Sequence, residues 1–229
     1  MSYQERLQVE LNHFSNVYQD KRGFSVPVTW DEVEVRFANL LERSTGVRNL
    51  YEYVARHTKD KESIRVLGLG SGPCGNEIDG IFPLLTCNMH LVCVDINPAL
   101  LETGKRGAEE KGISFEGIVQ DINTLSLEEE SCDVIVAYAA MHHFIELDTI
   151  SKEINKALKS DGLFVTVDIP TRNGYKMWEE TLDIVNRIFS LLPAKYQVDH
   201  AHFATPTVVD KIENIDYSKN SFECINSEA

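Results

Sequence analysis

At 229 residues the chain accommodates one large domain, or one domain with an appendage. Hydrophobic residues at 43% and charged residues at 25% exclude an intrinsically disordered chain. A formal net charge of −14 surrounds the protein with a field that repels phosphate backbones, so nucleic acid is excluded as the expected partner.

The first 60 residues read as helices. The N-terminal stretch MSYQERLQVELNHF is charged and lacks the apolar core of a signal peptide, while Leu7, Leu11, Phe14 and Tyr18 recur at helical spacing. A loop with Gly23 and Pro27 follows. Thr29 and Glu32 then form a capping-box signature ahead of an apolar stripe of Val33, Phe37, Leu40 and Leu41. A third helix is predicted over Leu50 to His57.

From Ile64 the pattern changes to short runs rich in Val, Ile and Leu, at 64–69, 90–94, 113–119, 133–139 and 163–167. Such near-continuous apolar runs are expected of parallel strands buried on both faces. Helices are predicted between them at 76–85, at 98–111 with Asn97 as cap and Pro98 in the first position, and at 147–159, followed by a tight turn at Asp161–Gly162. This alternation specifies an α/β fold with a doubly wound, mostly parallel, Rossmann-like sheet. The longest apolar run, Val134 to Met141, is far short of the roughly 20 residues of a membrane span, so no membrane partner is expected. Trp178, Leu182, Val185 and Phe189 line a further helix stopped by Pro193. The five cysteines, Cys74, Cys87, Cys93, Cys132 and Cys224, are odd in number and without paired spacing, so a reduced, cytoplasmic protein is expected.

Chemistry concentrates at IRVLGLGSGPCGNEI, residues 64–78, where a glycine loop joins a buried strand to a helix. Gly70, Gly72 and Gly75 allow a sharp turn and a close backbone approach to a ligand. In LVCVDIN, residues 91–97, Asp95 ends a strand where a carboxylate is able to accept hydrogen bonds from ribose hydroxyls. Taken literally, the glycine spacing with Asp95 beyond it is also a dinucleotide fingerprint, so a nicotinamide oxidoreductase competes at this point. A second strand-end carboxylate, Asp121 before Ile122, suits an adenine amino group, and the fourth strand ends in small residues and then His142 and His143.

These features together resemble the class I S-adenosylmethionine-dependent methyltransferases, whose motif order residues 64–168 follow. The resemblance implies S-adenosylmethionine as cofactor and a small-molecule methyl acceptor, with transfer to an oxygen or nitrogen of a metabolite, sugar or natural product. It implies that Gly70, Ser71 and Gly72 wrap the methionine part, that Asp95 and Ile96 hold ribose and adenine, and that Asp121 and Ile122 hold the adenine rim. Backbone at Ala137 and Tyr138 would reach the transferring end. The family usually carries Asp or Glu where this chain has Gly68, a role that Glu77 could fill in space, and often a third glycine where this chain has Cys74. Relative to the oxidoreductase reading, the family accounts for Asp121 and the Met141–His143 segment. A non-catalytic binding module is the third reading, motivated by Gly68 and by closing strands that the tail does not show.

A hydroxyl acceptor needs its proton removed, which a histidine beside the methyl group would do, and His143 is the candidate ahead of His142. Asp168 ends the fifth strand, either reaching the site or capping the next loop, and Arg172, Tyr175, Met177 and Trp178 are candidates for lining an acceptor pocket. His200 and His202 have the spacing of two ligands on one strand face, but no cluster supports them and no metal is expected. The expected organisation is a helical cap over 1–60, a cofactor-binding domain over 61–170, and a substrate-side helix and tail over 171–229. The two antiparallel strands that usually close such a sheet are not evident in that tail.

Overall fold

A computed structural model describes residues 1–19, 30–168, 174, 176–199, 207–214, 216, 219 and 221–222. Its centre is a five-stranded, wholly parallel sheet in the order β3-β2-β1-β4-β5, formed by β1 (Ser63–Leu69), β2 (Asn88–Asp95), β3 (Ser114–Val119), β4 (Cys132–Tyr138) and β5 (Leu158–Val167). The helices are α1 (Tyr3–Gln19), α2 (Trp30–Thr45), α3 (Leu50–His57), α4 (Pro98–Glu110), α5 (Leu147–Ala157) and α6 (Glu179–Phe189). Two-residue strands β6 (Val198–Asp199) and β7 (Thr207–Val208) pair antiparallel, apart from the main sheet. Among the described residues no helix is long and apolar enough to cross a membrane.

The strand residues explain this sheet. In β1, β2 and β4 successive side chains enter opposite core layers, and both layers are apolar. Val66, Leu91 and Val134 pack with Val54 of α3, Ile78, Ile81 and Leu101. Their neighbours Leu67, Val92 and Ile135 pack with Ile122, Phe144, Ile150 and Ile154. Parallel strands covered on both sides have no polar face to alternate with, hence the continuous apolar runs. One buried charge belongs to the frame: Asp133 accepts from Lys61 Nζ at 2.9 Å, Lys159 Nζ at 2.8 Å and the Arg65 backbone at 2.9 Å. Burial pushes its carboxyl upward, but Lys159, the Arg65 backbone and Lys61 outweigh it and hold the group below the usual range.

Helix α4 starts as its sequence specifies. Asn97 accepts from the Ala99 backbone at 3.0 Å, with Pro98 at the first position where no N–H is needed. Three segments depart from expectation. Residues Asn76–Ile81 form a π-helical turn and Phe82–Leu84 a 3₁₀ turn, in place of one helix over 76–85. Pro83 cannot extend an α-helix, and the Tyr51 ring lies so close to Gly80 that an added Cβ would meet it at 2.7 Å. The Asp161–Gly162 turn is an excursion inside β5, because Leu158 pairs with Cys132 while Leu163 already pairs with Val134. Finally, Val33, Phe37 and Leu40 of the α2 stripe are exposed. Gly23, Pro27, Thr29, Arg172, Tyr175, His200, His202 and Cys224 lie outside the described residues.

Leu91 is fully buried at the middle of β2. Leu91→Ala is expected to destabilise the protein by about 2–5 kcal/mol, read as a lower denaturation midpoint with an unchanged slope.

Candidate functional site

Strand order reverses at β1, with β2 on one side and β4 on the other, so the loops leaving β1 and β4 diverge. A crevice opens at that point in doubly wound sheets. Here it is a cavity of ≈ 350 Å³, lined by Gly70, Ser71, Gly72, Asp95, Ile96, Asp121, Ile122, Tyr138 and His143 among others. The fold brings the expected cofactor-binding residues and His143 to this one cavity, while His142, whose ring lies 4.2 Å from that of His143, is not among its lining residues.

Gly70 turns the chain with φ +65°, and a Cβ on it would meet Ala140 Cβ at 2.9 Å, so the two loops touch through a glycine. Cys74 and Ala139 adopt φ of 60° and 49°, in the left-handed region, one in each loop. Such conformations cost non-glycine residues roughly 1–2 kcal/mol and concentrate at functional sites. Cys74 thus holds a glycine-type conformation, at the position where the family often has glycine.

Asp95 is the anchor. Its Oδ2 accepts from the Gly72 backbone at 2.9 Å and its Oδ1 from the Asn97 backbone at 2.8 Å. Burial pushes its carboxyl upward against these backbone donors, and each oxygen keeps a further lone pair for a ligand hydroxyl. Asp121 accepts from the Asn123 backbone at 2.9 Å through Oδ1, starting the 3₁₀ turn at Ile122, and from the Tyr3 hydroxyl through Oδ2.

The histidines sit on a 3₁₀ turn, Met141–His143, that Asp168 holds. Asp168 Oδ2 accepts from the backbones of Ala140 at 3.1 Å and Met141 at 2.7 Å, and its Oδ1 lies 2.7 Å from His142 Nδ1. Asp168 thus reaches back to the β4 loop and caps the turn that carries the histidines, while the loop that follows it in the chain lies outside the described residues. His143 Nδ1 lies 3.4 Å from Glu10 Oε1, its ring meets Phe14 edge-on at 5.6 Å, and the His142 ring stands 4.2 Å away. A carboxylate only accepts, so each Nδ1 carries a proton toward its acid, leaving Nε2 as the basic nitrogen in the neutral ring.

Helix α1 roofs the cavity with Leu7, Glu10, Leu11 and Phe14, and Phe222 joins them. Glu10 is buried and accepts from the Phe222 backbone at 2.6 Å. None of these was expected at the site. The i, i+3, i+4, i+7 spacing of Leu7, Glu10, Leu11 and Phe14 did mark one helix face, and an acid on an otherwise apolar face was the available signal. A second cavity of ≈ 880 Å³, lined by Phe37, Leu41, Tyr51 and Phe164 together with Asp168, shares Tyr138 with the first. Trp178 is exposed and, like Met177, lines neither cavity.

Charge and sterics decide between the two ligand classes. Glu10, Asp95 and Asp121 line the first cavity without a Lys or Arg among its described lining residues. That wall attracts a sulfonium and an ammonium and repels a dinucleotide diphosphate. The third glycine of the dinucleotide fingerprint normally permits close helix–strand packing, yet a Cβ on Gly75 would meet nothing within 4 Å. Under the loop, Glu77 is 2% exposed and accepts from Ser71 Oγ at 2.9 Å. A Cβ on Gly68 would overlap Ser71 Oγ and lie 2.6 Å from Glu77 Oε1, so Glu77 fills the space beside residue 68.

Comparison with known proteins agrees with this geometry. Residues 67–166 match the family model described as methyltransferase domain. A sterol 4-C-methyltransferase of Caenorhabditis elegans is 26% identical over 132 residues, covering 57% of this chain and 38% of its own length. An uncharacterised methyltransferase of Bacillus subtilis, YcgJ, is 30% identical over 105 residues, covering 45% of this chain and 40% of its own length. The chain thus spans about two fifths of the length of the curated relatives it matches. Among solved structures, a methyltransferase from Aquifex aeolicus superposes with a TM-score of 0.48 at 15% identity, covering 69% of this chain and 73% of that one. The matched region runs from β1 into β5 of the parallel sheet and is similar to a methyltransferase domain.

The two glycines separate the ligand classes by experiment. Gly70→Ala is expected to destabilise the protein by about 1–2 kcal/mol and to weaken S-adenosylmethionine binding at least tenfold in calorimetry. Gly75→Ala is expected to leave both within error, whereas a dinucleotide site would lose affinity.

Proposed function

We propose that this chain moves a methyl group from S-adenosylmethionine to an oxygen or nitrogen of a small molecule, with His143 as the base. The observation that carries this reading is the juxtaposition at one cavity of a cation-attracting acidic wall and a carboxylate-backed histidine. Bound S-adenosylmethionine supplies an electrophilic methyl on a good leaving group.

In this reading Gly70, Ser71 and Gly72 wrap the methionine part through their backbone. Asp95 takes the ribose hydroxyls on its free lone pairs. Ile96 and Ile122 pack on the adenine, and Asp121 accepts from its amino group. Tyr138 stands between the two cavities, so the larger one is the acceptor's place, and its Phe37, Leu41, Tyr51 and Phe164 lining selects a bulky, largely apolar molecule. The name of the Caenorhabditis elegans relative, a sterol 4-C-methyltransferase, is compatible with an acceptor of that kind. The net charge of −14 argues against a nucleic-acid acceptor.

His143 removes the acceptor's proton at Nε2 as the methyl is transferred, and Glu10 holds the ring in that tautomer. General-base help of this type contributes about 10²- to 10⁴-fold. Helix α1 excludes water above the reacting groups, and alignment by the cavity walls supplies the rest of the rate enhancement.

Release of S-adenosylhomocysteine during incubation with fractionated small-molecule extracts identifies the acceptor. With that acceptor, His143→Ala is expected to lower kcat by about 10²- to 10⁴-fold and to leave the cofactor Kd nearly unchanged. Asp95→Ala is expected to raise that Kd about tenfold or more. Unchanged turnover in His143→Ala removes the histidine from the mechanism, and turnover only with nucleic acid overturns the acceptor class.

A further inference from the structure

Glu77 is a buried acid that no step above uses. Its Oε1 takes the Ser71 hydroxyl, while Oε2 is sealed from solvent without a hydrogen-bond partner. An unsatisfied buried carboxylate oxygen costs free energy, so its retention calls for a reason. The surrounding geometry is built around it. Residue 68 is glycine, and any side chain there would collide with Ser71 and Glu77. The π-helical turn carries Asn76 to the cavity wall and Glu77 directly behind it. Glu77 is therefore one hydrogen bond removed from the cofactor cavity, through Ser71.

Among the described residues, the groups facing Glu77 bring no positive charge. They are Ser71 from the loop, Tyr51 from α3, and Cys93 of β2, the last in contact with Cys74. Tyr51 is raised to about 12, by burial first and then by Tyr138 and Glu77, so it is neutral at pH 7. Burial likewise pushes the Cys93 thiol up. Across the loop, the other acid is Asp95, tied down by backbone donors.

We propose that Glu77 is the buried counter-charge of the cofactor loop, a positioning residue acting through Ser71, and that a cationic cofactor arriving at the loop ionises it and expels its proton. This rests on the methyltransferase reading and adds to it the charge that residue 68 lacks. Burial pushes the Glu77 carboxyl up to about 7 against its own backbone and Ser71, so the free protein holds that proton over much of its molecules near neutrality. A positive group a few ångströms away favours the ionised form, and affinity then rises with pH.

The test is calorimetry at pH 6.5, below the range in which a ligand's own α-ammonium titrates, in two buffers of different ionisation enthalpy. S-adenosylhomocysteine carries the ammonium, and 5′-methylthioadenosine carries no charge. Wild type is expected to release roughly half a proton or more with the former and none with the latter. Glu77→Gln keeps an acceptor for Ser71; it is expected to bind S-adenosylhomocysteine about tenfold more weakly above pH 7 and to release no proton. Equal proton release by both ligands on wild type, or undiminished release in Glu77→Gln, overturns the inference, and the wild-type arm decides even if the variant fails to fold. Tight binding without release overturns this inference alone, whereas no binding of either ligand overturns the methyltransferase reading with it.

Discussion

The site depends on one carboxylate at a strand end. Asp95 gives one oxygen to the backbone of Gly72 and the other to that of Asn97, so it ties the glycine loop of β1 to the start of α4. Without it, two turns of different elements would leave their N–H groups unpaired in a poorly solvated place. The same group then faces the cavity with its remaining lone pairs. Structural and ligand-binding demands converge on it, which is why a polar residue sits at the end of an otherwise apolar strand.

Electrostatics follows from that placement. The cavity wall is acidic from three separate elements: Glu10 from α1, Asp95 at the end of β2, and Asp121 after β3. A wall of one sign around a small volume specifies the charge of its occupant more firmly than loop shape does, since glycine turns of one outline serve both anionic and cationic cofactors. The histidines are drawn into the same scheme. Each has its Nδ1 against a carboxylate, His142 against Asp168 and His143 against Glu10, and Asp168 also accepts from the Ala140 and Met141 backbones of the turn that carries both.

The sheet and its loops were readable from the chain because their causes are local. Apolar runs flanked by caps place β1, β2 and β4, and Asn97–Pro98 starts α4 where it says it should. What stayed hidden depends on partners distant in sequence. The π-helical turn at Asn76 arises beside the Tyr51 ring packed on Gly80, which no nearby residue announces. Periodicity identified the face of α1 but not that it roofs a cavity, and it marked a stripe on α2 that the structure leaves exposed. Glu10 looks like an ordinary surface acid until the fold brings His143 to it.

The reciprocal fit of Gly68 and Glu77 has a consequence for descent. Because a side chain at 68 and a carboxylate from 77 claim the same space, the two positions form a single heritable unit. A lineage that acquired a larger residue at 68 would have to shorten or withdraw residue 77 at the same time, so substitutions at these sites, nine places apart, should appear in pairs.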